Sequence, residues 1–208
     1  MYTPAERIAD GIVHIVGICA GVVAVIAMMV AAVHSLSLPA TASLAIYSIG
    51  LLAMFGFSAA YNLLPTPNWK GTLRRLDQSA IFLKIAGTYT PFALIKMGGI
   101  AGYSLLTVVW VVALLGAAGK LLLKSNWNGI DVALYLALGW AGLVAIHPLA
   151  ASVTSTVLAL LGIGGVLYSV GVIFHVWHSL KYQNAIWHAF VLAATCCHFG
   201  AVTTAMFA

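Results

Sequence analysis

Residues 8–33 read IADGIVHIVGICAGVVAVIAMMVAAV, a stretch in which Asp10 is the sole Asp, Glu, Lys or Arg. A hydrocarbon core about 30 Å thick takes roughly 20 helical residues, so this segment is long enough to cross a bilayer with some tilt. Arg7 precedes it and Ala40, Thr41 and Ala42 follow, which together resemble a secretory signal with a small-residue cleavage site. The apolar run is much longer than the roughly 7–15 residues of a signal core and contains His14, so an uncleaved first helix is the expectation.

Working outward, the whole chain has this character. Apolar residues make up 63% of it and charged residues 6%, with a mean hydropathy of +1.08, far from the composition of a water-soluble domain. Six further apolar stretches follow, at about 41–64, 77–96, 103–123, 131–146, 154–177 and 184–207. Pro65 and Pro67 stop the second, Gly98, Gly99 and Gly102 form a turn before the fourth, Asn126 to Gly129 separate the fourth from the fifth, and Pro148 closes the fifth. Continuous runs of this length predict helices, because an outer-membrane barrel shows short alternating segments. The predicted fold is an all-α integral membrane protein, one seven-helix bundle over 1–208, with no linker-like run to set off a soluble module.

Lys and Arg set the orientation. With the N-terminus inside, the inner segments carry Arg7, Lys70, Arg74, Arg75, Lys120, Lys124 and Lys181, against Lys96 alone outside. The C-terminus is therefore expected outside, in a bacterial inner membrane. The net charge of +5 is spread over short loops and forms no continuous surface for nucleic acid. Cys19, Cys196 and Cys197 all fall in spans and form no Cys-x-x-Cys, so soft packing is expected of them. Trp69, Trp127, Trp177 and Trp187 fit an interfacial belt, and Pro91 predicts a kink in the third helix. Gly17 with Gly21, and Gly162 with Gly164 and Gly165, predict close helix packing.

Polar residues inside the spans are what hydrophobicity does not account for. Ser58 and Asn62, four apart, share a face at the inner end of the second helix, and Asn184 and His188 do the same at the inner start of the seventh. Asp77, followed by Gln78, opens the third helix, and Glu6, Asp10 and His14 repeat the spacing of four at the start of the first. Each has a plain structural reading: an Asp at a helix start favours the helix dipole, and Ser and Asn commonly bond between helices. Lys84 is harder to explain that way. It lies seven residues into the third helix on the face of Asp77, where a charge is costly unless it snorkels or pairs; pairing with Asp77 or contact with a buried water network is expected. His198, well inside the seventh helix, is expected to meet a partner more than His34, His147, His175 or His178 near helix ends.

The chain resembles the hemolysin III group of the progestin and adipoQ receptor (PAQR) superfamily. The resemblance is carried by 6–14 (ERIADGIVH), 58–65 (SAAYNLLP), 74–92 (RRLDQSAIFLKIAGTYTPF), 164–174 (GGVLYSVGVIF) and 184–199 (NAIWHAFVLAATCCHF). It implies seven helices with the N-terminus inside. It also implies a zinc site near the inner face, with Ser58, Asp77 and His188 on family ligand positions. Two further positions that are histidine in the family are Asn62 and Asn184, and Gln78 stands where His is common. An amide is a weak zinc ligand, and Glu6, Asp10 and His14 are not ligands the resemblance implies. The expectation is therefore a metal-free polar network, without a cofactor, that binds a membrane lipid or fatty acid and adjusts membrane properties. Lys84 would then meet a lipid carboxylate or phosphate. The alternatives are a metal-dependent, ceramidase-like hydrolase of lipid amides or esters and a pore-forming, haemolysin-like protein. The pore needs a polar track through an outer half that has few charged groups.

Overall fold

A computed structural model describes residues 3–122 and 128–208. Lys124, Asn126, Trp127 and the predicted end of the fourth span at 123 lie outside these residues. The described chain is helical: α1 Pro4–Ser35, α2 Leu38–Leu63, α3 Lys70–Thr90, α4 Gly99–Leu122, α5 Asn128–Gly139, α6 Ile146–Ser152, α7 Ser155–Val176 and α8 Gln183–Phe207. Six stretches are long and apolar enough to cross a membrane: α1, α2, α4, the α5–α6 unit over Gly129–Ser152, α7 and α8. The stretch beginning with α3 is not among them, because it carries Arg74, Arg75, Asp77, Gln78 and Lys84.

Local chemistry explains where the helices start and turn. Thr3 and Glu6 cap α1 reciprocally: Glu6 N donates to Thr3 Oγ1 at 3.3 Å and Thr3 N to Glu6 Oε2 at 2.7 Å. Pro91, lacking an N–H, ends regular α-helix in α3, and the chain continues as a π-helical stretch over Pro91–Met97. This wide turn is the form the predicted kink takes. Gly98 and Gly99 then adopt φ of 58° and 57°, values that favour glycine, and reverse the chain into α4.

The fifth span differs from expectation. It does not run unbroken to a stop at Pro148: α5 ends at Gly139, a 3-10 turn covers Ala141–Ala145, and α6 restarts at Ile146 with Pro148 in its first turn. A proline is tolerated there because first-turn N–H groups have no intrahelical acceptor. The interruption survives in apolar surroundings because its freed backbone groups find partners. The Tyr89 hydroxyl of α3 donates to Gly139 O and accepts from Gly142 N, both at 2.8 Å. Trp140 Nε1 donates to Ser169 Oγ of α7 at 3.0 Å.

Neighbouring contacts run α1 to α2, α2 to α3, α3 to α5, α5 to α7, α7 to α8 and α8 back to α1, with α4 packed outside against α3. Within this ring, one half is filled by Val25, Met28, Leu44, Tyr47, Leu51, Phe92, Val202 and Met206. A second core, Phe82, Val109, Ala113 and Leu138, joins α3, α4 and α5. The outward faces are apolar too: Ile15, Val23, Ile26, Leu115, Ile163 and Ile173 are all exposed, the arrangement of a surface solvated by lipid. Cys19 and Cys196 belong to this exposed face and all three cysteines are free thiols.

The basic residues gather where the other ends of these helices meet. Lys70 Nζ donates to Tyr61 O, Arg75 reaches Leu121 O, and Glu6 Oε1 accepts from Tyr182 N at 2.9 Å. These contacts join the start of α1, the end of α2, the start of α3, the end of α4 and the start of α8 into one end of the bundle. Between α4 and α5, Lys120 pairs with Asp131, both buried.

Glycines set the closest approaches, only partly where the sequence suggests. Gly164 lies against the His198 ring and Ala194 O, Gly165 against Trp140, and Gly21 against Phe55. Gly162, expected to pack closely, has nothing within 4 Å of where a Cβ would stand and borders open space. Gly50 and Gly87 instead let α2 and α3 touch backbone to backbone.

Candidate functional site

Inside the ring lies a cavity of about 1150 Å³, and its wall includes all ten polar positions singled out in the sequence. Those ten are Glu6, Asp10, His14, Ser58, Asn62, Asp77, Gln78, Lys84, Asn184 and His188. They divide into a mouth at the basic end and a deeper station on Lys84.

At the mouth, α1 and α8 bring Asp10 and His188 together, with His188 Nδ1 2.6 Å from Asp10 Oδ1. His14, one turn beyond Asp10, packs edge-on to His188 with ring centroids 4.3 Å apart. Its Nδ1 lies 2.9 Å from the Asp10 carbonyl oxygen and its Nε2 3.3 Å from Ser58 Oγ. Since a carbonyl only accepts, His14 Nδ1 carries the hydrogen and Nε2 offers a lone pair toward α2. Asp77 stands near Ser58 and within electrostatic range of His188. Three helices therefore supply one connected network, α1, α2 and α8, with Asp77 of α3 beside it.

The other mouth residues are peripheral to this network. Asn62 Nδ2 donates to the Ser58 carbonyl of its own helix at 2.9 Å, and Asn184 lines the wall. Gln78 contributes its backbone carbonyl, which accepts from Tyr135 at 2.9 Å. Glu6 serves the α1 cap and the turn before α8. Trp187 does not join an outer belt: it packs on His175, ring centroids 4.9 Å apart, and lines the cavity, whereas Trp69 and Trp177 are exposed as expected.

Deeper in, Lys84 is 3% exposed. Pairing with Asp77 is not what the structure has: Lys84 Nζ donates to Tyr168 Oη of α7 at 2.7 Å and sits 4.4 Å from that ring's centroid. Asp77 is two turns away, about 10 Å along the helix axis, while α7 faces Lys84 across the cavity. Tyr168 continues the chain to Thr195 Oγ1 of α8 at 2.6 Å. The His198 ring lies 5.4 Å from that of Tyr168; its Nε2 contacts Leu161 O at 3.4 Å and its Nδ1 is buried without a hydrogen-bond partner. Among the described residues, Lys84 takes part in none of the ion pairs, which are His14 with Asp10, His188 with Asp10, and Lys120 with Asp131. Sequence reasoning missed Tyr168, Thr195 and the helix-bridging Tyr89. Tyrosine and threonine are too common in membrane helices to signal a role on their own.

The haemolysin-III-related family model matches residues 3–199. The chain belongs to this family. A hemolysin-3 homolog of Bacillus subtilis (strain 168) is 35% identical over 199 residues, covering 96% of this chain and 93% of that protein. Hemolysin-3 of Bacillus cereus is 35% identical over 194 residues, covering 93% and 89%. The human monocyte to macrophage differentiation factor is 26% identical over 167 residues, covering 76% and 67%. No solved structure matches. The motif resemblance to the hemolysin III group is thus borne out over nearly the whole chain, as an integral, multi-pass membrane protein. Of the zinc set that the resemblance implies, Ser58, Asp77 and His188 are present, and two imidazole positions carry amides. Asn62 has its amide turned to its own helix, and Asn184 also offers an amide where an imidazole is needed.

Proposed function

We propose that this protein binds a lipid bearing an anionic group, in a seven-crossing bundle whose basic end and cavity mouth face the cytoplasm of a bacterial inner membrane. The third crossing is α3 with its π-helical continuation, its polar residues turned to the cavity. The single observation that carries the reading is Lys84: a buried ammonium on a large cavity, hydrogen-bonded to a neutral phenol and in none of the described ion pairs. A lone charge in such surroundings is costly, and an anion entering the cavity offsets that cost. A carboxylate or phosphate oxygen can accept from Lys84. Beyond Lys84 the wall turns apolar, with Phe92, Leu143, Leu149 and Leu161 suited to an acyl chain. Holding such a lipid fits a role in membrane homeostasis.

Gly162 supplies the test, because it lines the cavity and a Cβ there meets open space. Gly162→Leu is expected to fold like wild type while its side chain occupies ligand volume. Native mass spectrometry of gently purified protein should then show bound lipid on the wild type and at least about a tenfold lower bound fraction on the variant, a difference of about 1.4 kcal/mol. Wild type that retains no lipid when reconstituted from native membrane extract, or a variant that retains as much, would sink the reading.

A further inference from the structure

The mouth carries a second inference that does not depend on lipid binding. Asp10, His14 and His188 are the one group of three such side chains among the described residues whose ligand atoms all lie within 4.8 Å of one another. We infer that these three residues form a divalent transition-metal site of zinc type, displaced toward α1 from the set the family resemblance implies. Two of its three ligands, Asp10 and His14, lie outside that set.

Two imidazoles and one carboxylate are a donor set zinc accepts, with room for a further ligand. Ligand atoms around a tetrahedral zinc stand about 3.3 Å apart, by the geometry of bonds near 2.0–2.1 Å. The His188 Nδ1–Asp10 Oδ1 separation of 2.6 Å is shorter than this, so metal entry opens that contact while the wider separations close. His14 is held as zinc ligands usually are: its Nδ1–H donates to the Asp10 carbonyl at 2.9 Å, which fixes the tautomer and leaves the Nε2 lone pair toward Ser58. The Ser58 hydroxyl 3.3 Å from Nε2 shows that a small group reaches that lone pair.

Charge points the same way. Asp10 is 6% exposed, and its ion-pair partners are His14 and His188, neither of which is a permanent cation. A buried carboxylate so placed is stabilised by a dication more than by two weakly basic rings. The loss of imidazole at positions 62 and 184 then moves the site without abolishing it: His188 stays, and α1 replaces the donors α2 and the start of α8 no longer provide.

The test uses untagged full-length protein in detergent, stripped with a chelator and dialysed against zinc or cobalt. Elemental analysis should give one metal ion per chain. X-ray absorption on the wild-type zinc form should show two imidazoles, and the cobalt form should show the intense visible bands of low-symmetry, four-coordinate cobalt. Asp10→Asn and His14→Gln should each weaken binding by at least about tenfold, while Asn62→Ala and Asn184→Ala leave it within about threefold of wild type. The absorption spectrum reads ligand identity on wild type, so it decides even if a variant fails to fold. A wild type that takes up no zinc, a spectrum with one imidazole or none, or undiminished binding by well-folded Asp10→Asn and His14→Gln would each overturn the inference in favour of a metal-free network or an adventitious ion.

Discussion

Asp131→Asn is expected to cost about 3–5 kcal/mol of stability, because it leaves the Lys120 ammonium buried opposite a neutral amide. Lys120 and Asp131 are each about 6% exposed or less and are direct partners across the α4–α5 connection. For a chain of this length the loss corresponds to a melting temperature lower by about 6–20 °C, readable as a detergent thermal melt followed by tryptophan fluorescence. The double variant Lys120→Met with Asp131→Leu separates charge from packing. Removing both charges together is often neutral in well-packed interiors, so the double variant should recover most of the loss. A single variant that melts like wild type would mean that Lys120 reaches the aqueous interface once its partner is gone.

The second large effect is steric. A Cβ on Gly50 would stand 3.1 Å from both Lys84 Cα and Leu83 O, and one on Gly87 would stand 3.2 Å from Ile46 O. The obstructing atoms are backbone, which cannot rotate away, so Gly50→Leu forces α2 and α3 apart. Such overpacking typically costs about 1–3 kcal/mol; here it also shifts Lys84, whose Cα forms the contact. The expected result is a lower melting temperature together with weaker lipid retention. Gly50→Ala should show the same changes to a smaller degree. Full stability in Gly50→Leu would contradict the close α2–α3 packing on which the position of Lys84 depends.

These two sites show what the sequence made legible and what it did not. Six of the spans follow from apolar length alone, which for a membrane helix is the dominant physical signal. The stretch through α3 was counted as a seventh apolar run, yet its polar residues keep it outside the set that length and hydropathy alone support. The interruption after Gly139 was not legible because its stability comes from Tyr89, 50 residues earlier in the chain, and nothing at Gly139 or Trp140 announces it. Pro148 misled for a related reason: a proline marks a boundary without saying whether it closes one helix or opens the next.

At the site, spacing of four correctly put Asp10 with His14 and Ser58 with Asn62 on shared faces. Whether such faces meet is a property of the bundle: Asp10 and His188 touch across 178 residues of sequence. Lys84 was recognisable as a costly charge, and the nearest acid on its own face was a reasonable partner. The tyrosine it contacts is 84 residues away on α7. Local periodicity tells which side chains look inward, and helix packing decides which of them meet.

The most direct test of the central claim measures head-group preference at Lys84. Delipidated wild type and Lys84→Met would be titrated with a long-chain fatty acid and with the alcohol of the same chain length. The account predicts that wild type binds the carboxylate at least about tenfold more tightly than the alcohol, since a charge-assisted hydrogen bond contributes about 1.5–3 kcal/mol. Lys84→Met should lose that preference while binding the alcohol as before. Equal affinity of wild type for acid and alcohol, or a preference that survives in Lys84→Met, would contradict the claim that this buried lysine receives an anionic lipid.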